Sequence, residues 1–95
     1  MDLQNRYIIT SNRESGFGRY DVILEPKNPK EDDAILLEFK VHDPEDEASL
    51  DETVQEAHRQ IERKQYAAIL KARGIPEEHI RSYGFAFAGK RVLIG

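Results

Sequence analysis

Two short, largely apolar stretches of the chain read as strands, and they flank a polar turn. Residues 20–25 (YDVILE) and 34–41 (AILLEFKV) are rich in branched and aromatic residues, and the segment between them, PKNPKEDD, is turn-forming. An earlier strand is predicted over about residues 6–12 (RYIITSN), followed by a turn through Glu14-Ser15-Gly16-Phe17-Gly18, whose glycines permit a tight reversal. An acidic loop at 42–48 (HDPEDEA) leads into one long helix. Ser49 with Glu52 fits a capping box, and Leu50, Val54, Ala57, Ile61 and Ala68 keep helical spacing on one face. Gly74 is placed to end that helix as a left-handed residue, with Ile75 touching Leu70 and Pro76 preventing continuation. After a short turn at PEEH, residues 80–87 (IRSYGFAF) and 90–94 (KRVLI) read as two strands joined at Ala88-Gly89.

This order predicts an α+β fold with a mixed sheet. Three antiparallel strands form a meander, a long helix crosses over, and a C-terminal hairpin follows with its first strand parallel to strand three. At 95 residues the chain is expected to be one domain, 1–95.

Composition narrows the chemistry. Cysteine is absent, which excludes a disulfide scaffold and a thiolate metal site. There is no apolar run of membrane-spanning length and no secretory leader pattern, so a cytoplasmic protein without membrane contact is expected. The formal net charge of −4 argues mildly against a nucleic-acid partner. Arg59, Arg63, Lys64, Lys71 and Arg73 nevertheless gather on the second half of the helix, either as a basic patch or as a solvated face of ordinary charge pairs.

The chemically informative residues lie on the second and third strands. If these fold back symmetrically about their turn, Asp21 faces Glu38 across an antiparallel pair, with Cβ atoms roughly 4.5–5.5 Å apart. Lys40, two residues beyond Glu38, shares its face. Two facing carboxylates repel unless a cation lies between them, and the pair suits a hard, oxygen-seeking ion such as Mg²⁺. A neighbouring lysine can orient an attacking water or neutralise charge on a phosphodiester. A structural ion pair is the competing reading of the same residues.

On the helix, Gln60 sits beside the apolar stripe, either at a site or capping sheet carbonyls, and Lys64 lies one turn later on the same edge. Tyr66, six residues from Gln60, points about 120° away on a continuous helix and is expected to pack rather than react. Glu14 and Arg19 flank the glycine turn as a third carboxylate and a phosphate contact, or as a cross-turn ion pair. Glu25 is roughly 13 Å along the strand from Asp21, too far to share an ion. His42, His58 and His79 show no zinc-ligand spacing.

The segments SNRESGFGRYDVILEP (11–26), AILLEFKV, QIERKQY (60–66) and SYGFAFAGKRVLI (82–94) together resemble the PD-(D/E)XK nuclease superfamily. The likeness is nearest to the domain at the C-terminal end of bacterial proteins with an AAA-ATPase-like N-terminal half. It implies a restriction-endonuclease-like core acting on DNA. Asp21, Glu38 and the backbone carbonyl of Phe39 would hold Mg²⁺ or Mn²⁺, and Lys40 would be the catalytic lysine. Gln60 would position water or the nucleic-acid backbone, and Lys64, as a nucleic-acid contact, and Tyr66 belong to the same signature. The family's first helix is expected to be missing, because the chain opens at MDLQNRYIIT, already entering a strand, and no proline directly precedes Asp21. A sheet face left without that helix would be apolar, so a homodimer is expected, or an ATPase-like domain of the same full-length protein as partner.

Overall fold

A computed structural model of the chain describes residues 3–13 and 19–95. A single helical turn, α1 (Leu3–Arg6), leads directly into β1 (Tyr7–Arg13), which pairs antiparallel with β2 (Arg19–Pro26), as β2 does with β3 (Ala34–Val41). The β2–β3 turn is closed by Asn28, whose side chain accepts from the Lys30 amide (3.1 Å) and whose carbonyl accepts from Glu31. Helices α2 (Leu50–Lys64) and α3 (Tyr66–Ala72) then cross over to β4 (Ile80–Ala88), which runs parallel to β3, and β5 (Arg91–Ile94) returns antiparallel. The five strands lie in chain order, the mixed α+β sheet that the hydrophobic pattern predicts.

The helix departs from expectation. One uninterrupted helix was predicted; instead Gln65 adopts a left-handed conformation (φ 56°, ψ 33°) that separates α2 from α3. Up to the break, Thr53, Val54, Ala57, Gln60 and Ile61 are buried against the sheet. Beyond it the buried face changes: Ala68, assigned by periodicity to the apolar stripe, is exposed, and Leu70 enters the core with Ala34, Leu36, Ile61 and Ile75. A left-handed non-glycine residue costs about 1–2 kcal/mol. Burying a leucine contributes about 1.5–3 kcal/mol, enough to offset it.

Both ends of the helical segment follow the sequence signals. The Ser49 hydroxyl accepts from the Glu52 amide at 3.4 Å, while the Glu52 carboxylate reaches back to the amide of Ala48 (2.8 Å). Gly74 (φ 93°) turns the chain so that the Ile75 amide donates to the Leu70 carbonyl at 3.1 Å, and both side chains join the core. Where α2 crosses β4, the sheet offers Gly84: a Cβ there would lie 3.0 Å from both the Ala57 Cβ and the Val54 carbonyl oxygen.

Strand alternation gives the sheet two unlike faces. Asp21, Leu36, Glu38, Lys40 and Ala86 are buried on the side of α2 and α3. The other side carries Tyr20, Phe39 and Phe85 in one row across β2, β3 and β4, stacked at 4.4 and 4.7 Å between ring centres. Among the described residues, no helix is long and apolar enough to cross a membrane.

Candidate active site

Asp21 and Glu38 face each other in the β2–β3 register, as symmetric folding about the turn predicts. They are 1% and 0% exposed, so each carboxylate has given up its water and needs compensating partners. The Lys64 ammonium lies between them, 2.5 Å from Asp21 Oδ2 and 3.3 Å from Glu38 Oε1. Two further donors orient Asp21. Asn12, its register partner on β1, donates to Oδ1 at 3.1 Å, and the Tyr66 hydroxyl donates to Oδ2 at 3.0 Å. Burial, and then the carboxylate it touches, raise the Tyr66 phenol above its ordinary pKa and keep it a donor.

Lys40 shares the buried face with Glu38 and is 4% exposed. Its ammonium donates to Glu47 Oε2 at 2.6 Å. The second oxygen of Glu47 accepts from the Asp43 amide (2.7 Å) and the Thr53 hydroxyl (2.9 Å), and Thr53 in turn meets His42 Nδ1 at 2.7 Å. Burial alone would raise the Glu47 pKa, but the hydrogen bonds from the Asp43 amide, Lys40 and Thr53 outweigh it and hold the carboxyl below its usual range. The two lysines therefore stand in different surroundings. Lys64 bridges the carboxylate pair, whereas Lys40 is anchored to the loop before α2.

Gln60 is buried on α2, and with its amide oxygen turned toward the guanidinium groups it accepts from Arg63 (2.6 Å) and Arg19 (2.7 Å). Arg19 and Lys40 also line a cleft of about 510 Å³ with Glu47, Glu52, Glu56 and Arg59. The other helix cations are paired with acids: Arg59 and Arg63 with Glu56, Lys71 with Glu77, and Arg73 with Glu25. Phe39 turns its ring to the opposite face, which leaves its main chain between Glu38 and Lys40. Glu14 lies outside the described residues. The histidines sit apart: besides His42, His58 Nε2 meets the Gly95 carbonyl at 2.9 Å, and His79 lies near Asp33.

Two residues of this constellation, Asn12 and Glu47, were not anticipated from sequence, and the direction of a third, Tyr66, was misjudged. Asn12 was legible, since the symmetric counting that pairs Asp21 with Glu38 also pairs Asn12 with Asp21 about the Glu14–Gly18 segment. Tyr66 was misdirected by the assumption of a continuous helix; the left-handed Gln65 turns it toward Asp21. Glu47 carried no spacing signal, being one of several acids in its loop.

The donor set fits a hard divalent ion. The residues bring together two carboxylates with a cation already between them, although among the described residues no group of three or more acids, histidines or cysteines is placed to hold a metal ion. Mg²⁺ commonly takes one or two carboxylates and retains waters. A family model for the PD-(D/E)XK nuclease superfamily matches residues 1–95. No curated protein and no solved structure is similar enough to count as a match.

Proposed function

Since the chain belongs to the PD-(D/E)XK nuclease superfamily, we propose that it is a Mg²⁺- or Mn²⁺-dependent nuclease hydrolysing DNA phosphodiesters at the Asp21–Glu38 pair. The observation that carries this reading is the single ammonium shared by two buried, facing carboxylates, which marks the place between them as one built for positive charge. Asp21 and Glu38 would hold the ion, with the Phe39 carbonyl beside them. When bound, such an ion supplies Lewis-acid stabilisation of the phosphate and an activated water.

The chain's own groups divide the remaining tasks. Asn12 and Tyr66 keep Asp21 oriented before anything binds. Lys40, fixed by Glu47, presents a charged ammonium on the Glu38 face, to orient water or to neutralise phosphate. Gln60 aligns Arg19 and Arg63, two guanidinium groups able to contact a phosphate backbone. Incubating plasmid and single-stranded DNA with Mg²⁺ or Mn²⁺ tests the proposal. Asp21→Asn, which keeps the side chain's shape, is expected to cut at least about 100-fold more slowly than wild type, a loss of about 2.7 kcal/mol of transition-state stabilisation. Equal products from both proteins would remove the nuclease assignment.

A second reading, a non-catalytic domain that dimerises as part of an ATPase-like protein, is favoured by the sheet face away from α2 and α3. Tyr20, Val41, Tyr83, Val92 and Ile94 on that face are all exposed. Apolar patches beyond a few hundred Å² commonly mark interfaces.

A further inference from the structure

We propose that Lys64 is a tethered, exchangeable cation. It holds the carboxylate pair together while no metal is bound and leaves its place when a divalent ion enters. This rests on the metal-site reading above and concerns what Lys64 does in that site.

The geometry points to exchange rather than to a permanent ion pair. Lys64 brings one positive charge to two buried carboxylates, whereas a divalent ion brings two. An ammonium 2.5 and 3.3 Å from the two oxygens occupies the space that a shared ion would need, so both cannot be held at once. Asp21 would keep its orientation after the exchange, because Asn12 and Tyr66 hold it independently of Lys64. Lys64 also has a way out. Its side chain is 19% exposed, against 2% and 1% for those of the two acids. As the last residue of α2, directly before the left-handed Gln65, it can swing toward solvent without displacing the buried stripe of the helix. The released ammonium would then stand at the mouth of the site as a phosphate contact, coupling metal entry to substrate capture.

Two measurements test this. In Mn²⁺ titrations followed by calorimetry, Lys64→Met is expected to bind about tenfold or more tightly than wild type, because the competing cation is gone, and Asp21→Asn is expected to lose binding. Equal or weaker binding by a Lys64→Met protein with wild-type circular dichroism would overturn the exchange and leave the metal-site reading intact. Absence of Mn²⁺ binding by both proteins would overturn both. Should Lys64→Met fail to fold, the wild-type protein still decides. Acetylation by an N-hydroxysuccinimide ester, read residue by residue by mass spectrometry, is expected to become several-fold faster at Lys64 when Mn²⁺ is added, with Lys90 unchanged. A rate at Lys64 that is unchanged or slower at saturating Mn²⁺ would refute the exchange.

Discussion

Lys40 and Glu47 form a buried ion pair whose value depends on completeness. Removing one partner of such a pair leaves the other charge desolvated, so Glu47→Gln is expected to lower stability at neutral pH by about 3 kcal/mol, measured by urea unfolding. The effect has a pH signature. The Glu47 carboxyl titrates lower in the folded protein than in the unfolded chain. Its stabilisation is therefore fully present above the unfolded carboxylate range, about pH 4, and disappears as the pH falls through the lower folded value. Wild type and Glu47→Gln should differ at neutral pH and converge in acid; a gap that widens below about pH 4 would contradict this assignment. Tyr66→Phe removes one hydrogen bond to Asp21 and should cost about 1 kcal/mol. At this scale the acids were readable and the bases only partly so. Asp21 and Glu38 follow from counting along two strands about a turn, which fixes register without knowledge of the rest. Which ammonium reaches them depends on the loop that supplies Glu47 and on the end of α2, and neither is local to those strands.

The junction of α2 and α3 offers a sharper test of an element than of any side chain. In a continuous helix, Gln65→Gly would cost about 1 kcal/mol. At a left-handed position glycine relieves steric strain, so the same substitution is expected to raise stability, by up to about 1 kcal/mol in urea unfolding. The sign of the change thus reports the break directly. Gly84→Ala probes the approach of α2 to β4. Its new Cβ would meet both the Ala57 Cβ and the Val54 carbonyl oxygen at 3.0 Å, and the latter is backbone that cannot rotate away. A loss of about 1–3 kcal/mol is expected. Cap and stop signals at Ser49 and Gly74 were legible because they are local chemistry. The break at Gln65 was not, since only the tertiary gain from burying Leu70 favours a conformation that glutamine itself disfavours.

For the whole molecule, the distribution of charge and of apolar surface matters more than either total. The helix cations that suggested a basic patch are paired in the metal-free protein with Glu56, Glu77, Glu25 and the carboxylate pair, so a phosphate backbone would have to compete with these acids for them. Metal-free binding to a DNA duplex should accordingly fall at the weak end of the non-specific range, about 10⁻⁴ M at physiological salt, as read by fluorescence anisotropy. The open face of the sheet bears on the oligomeric state. Val41, Phe87 and Val92 form one row across β3, β4 and β5, next to the Tyr20–Phe39–Phe85 stack, and the two valines are 52% and 51% exposed. If two copies pair through this face, Val41→Lys with Val92→Lys places four ammonium groups in a dry interface and should abolish the dimer. Such exposed positions contribute little to the fold of one copy, within about 0.5 kcal/mol each, so the variant should unfold like a wild-type monomer. Sedimentation at high concentration should then give a dimer for wild type and a monomer for the double variant, whereas a wild-type monomer throughout would rule out pairing by this face.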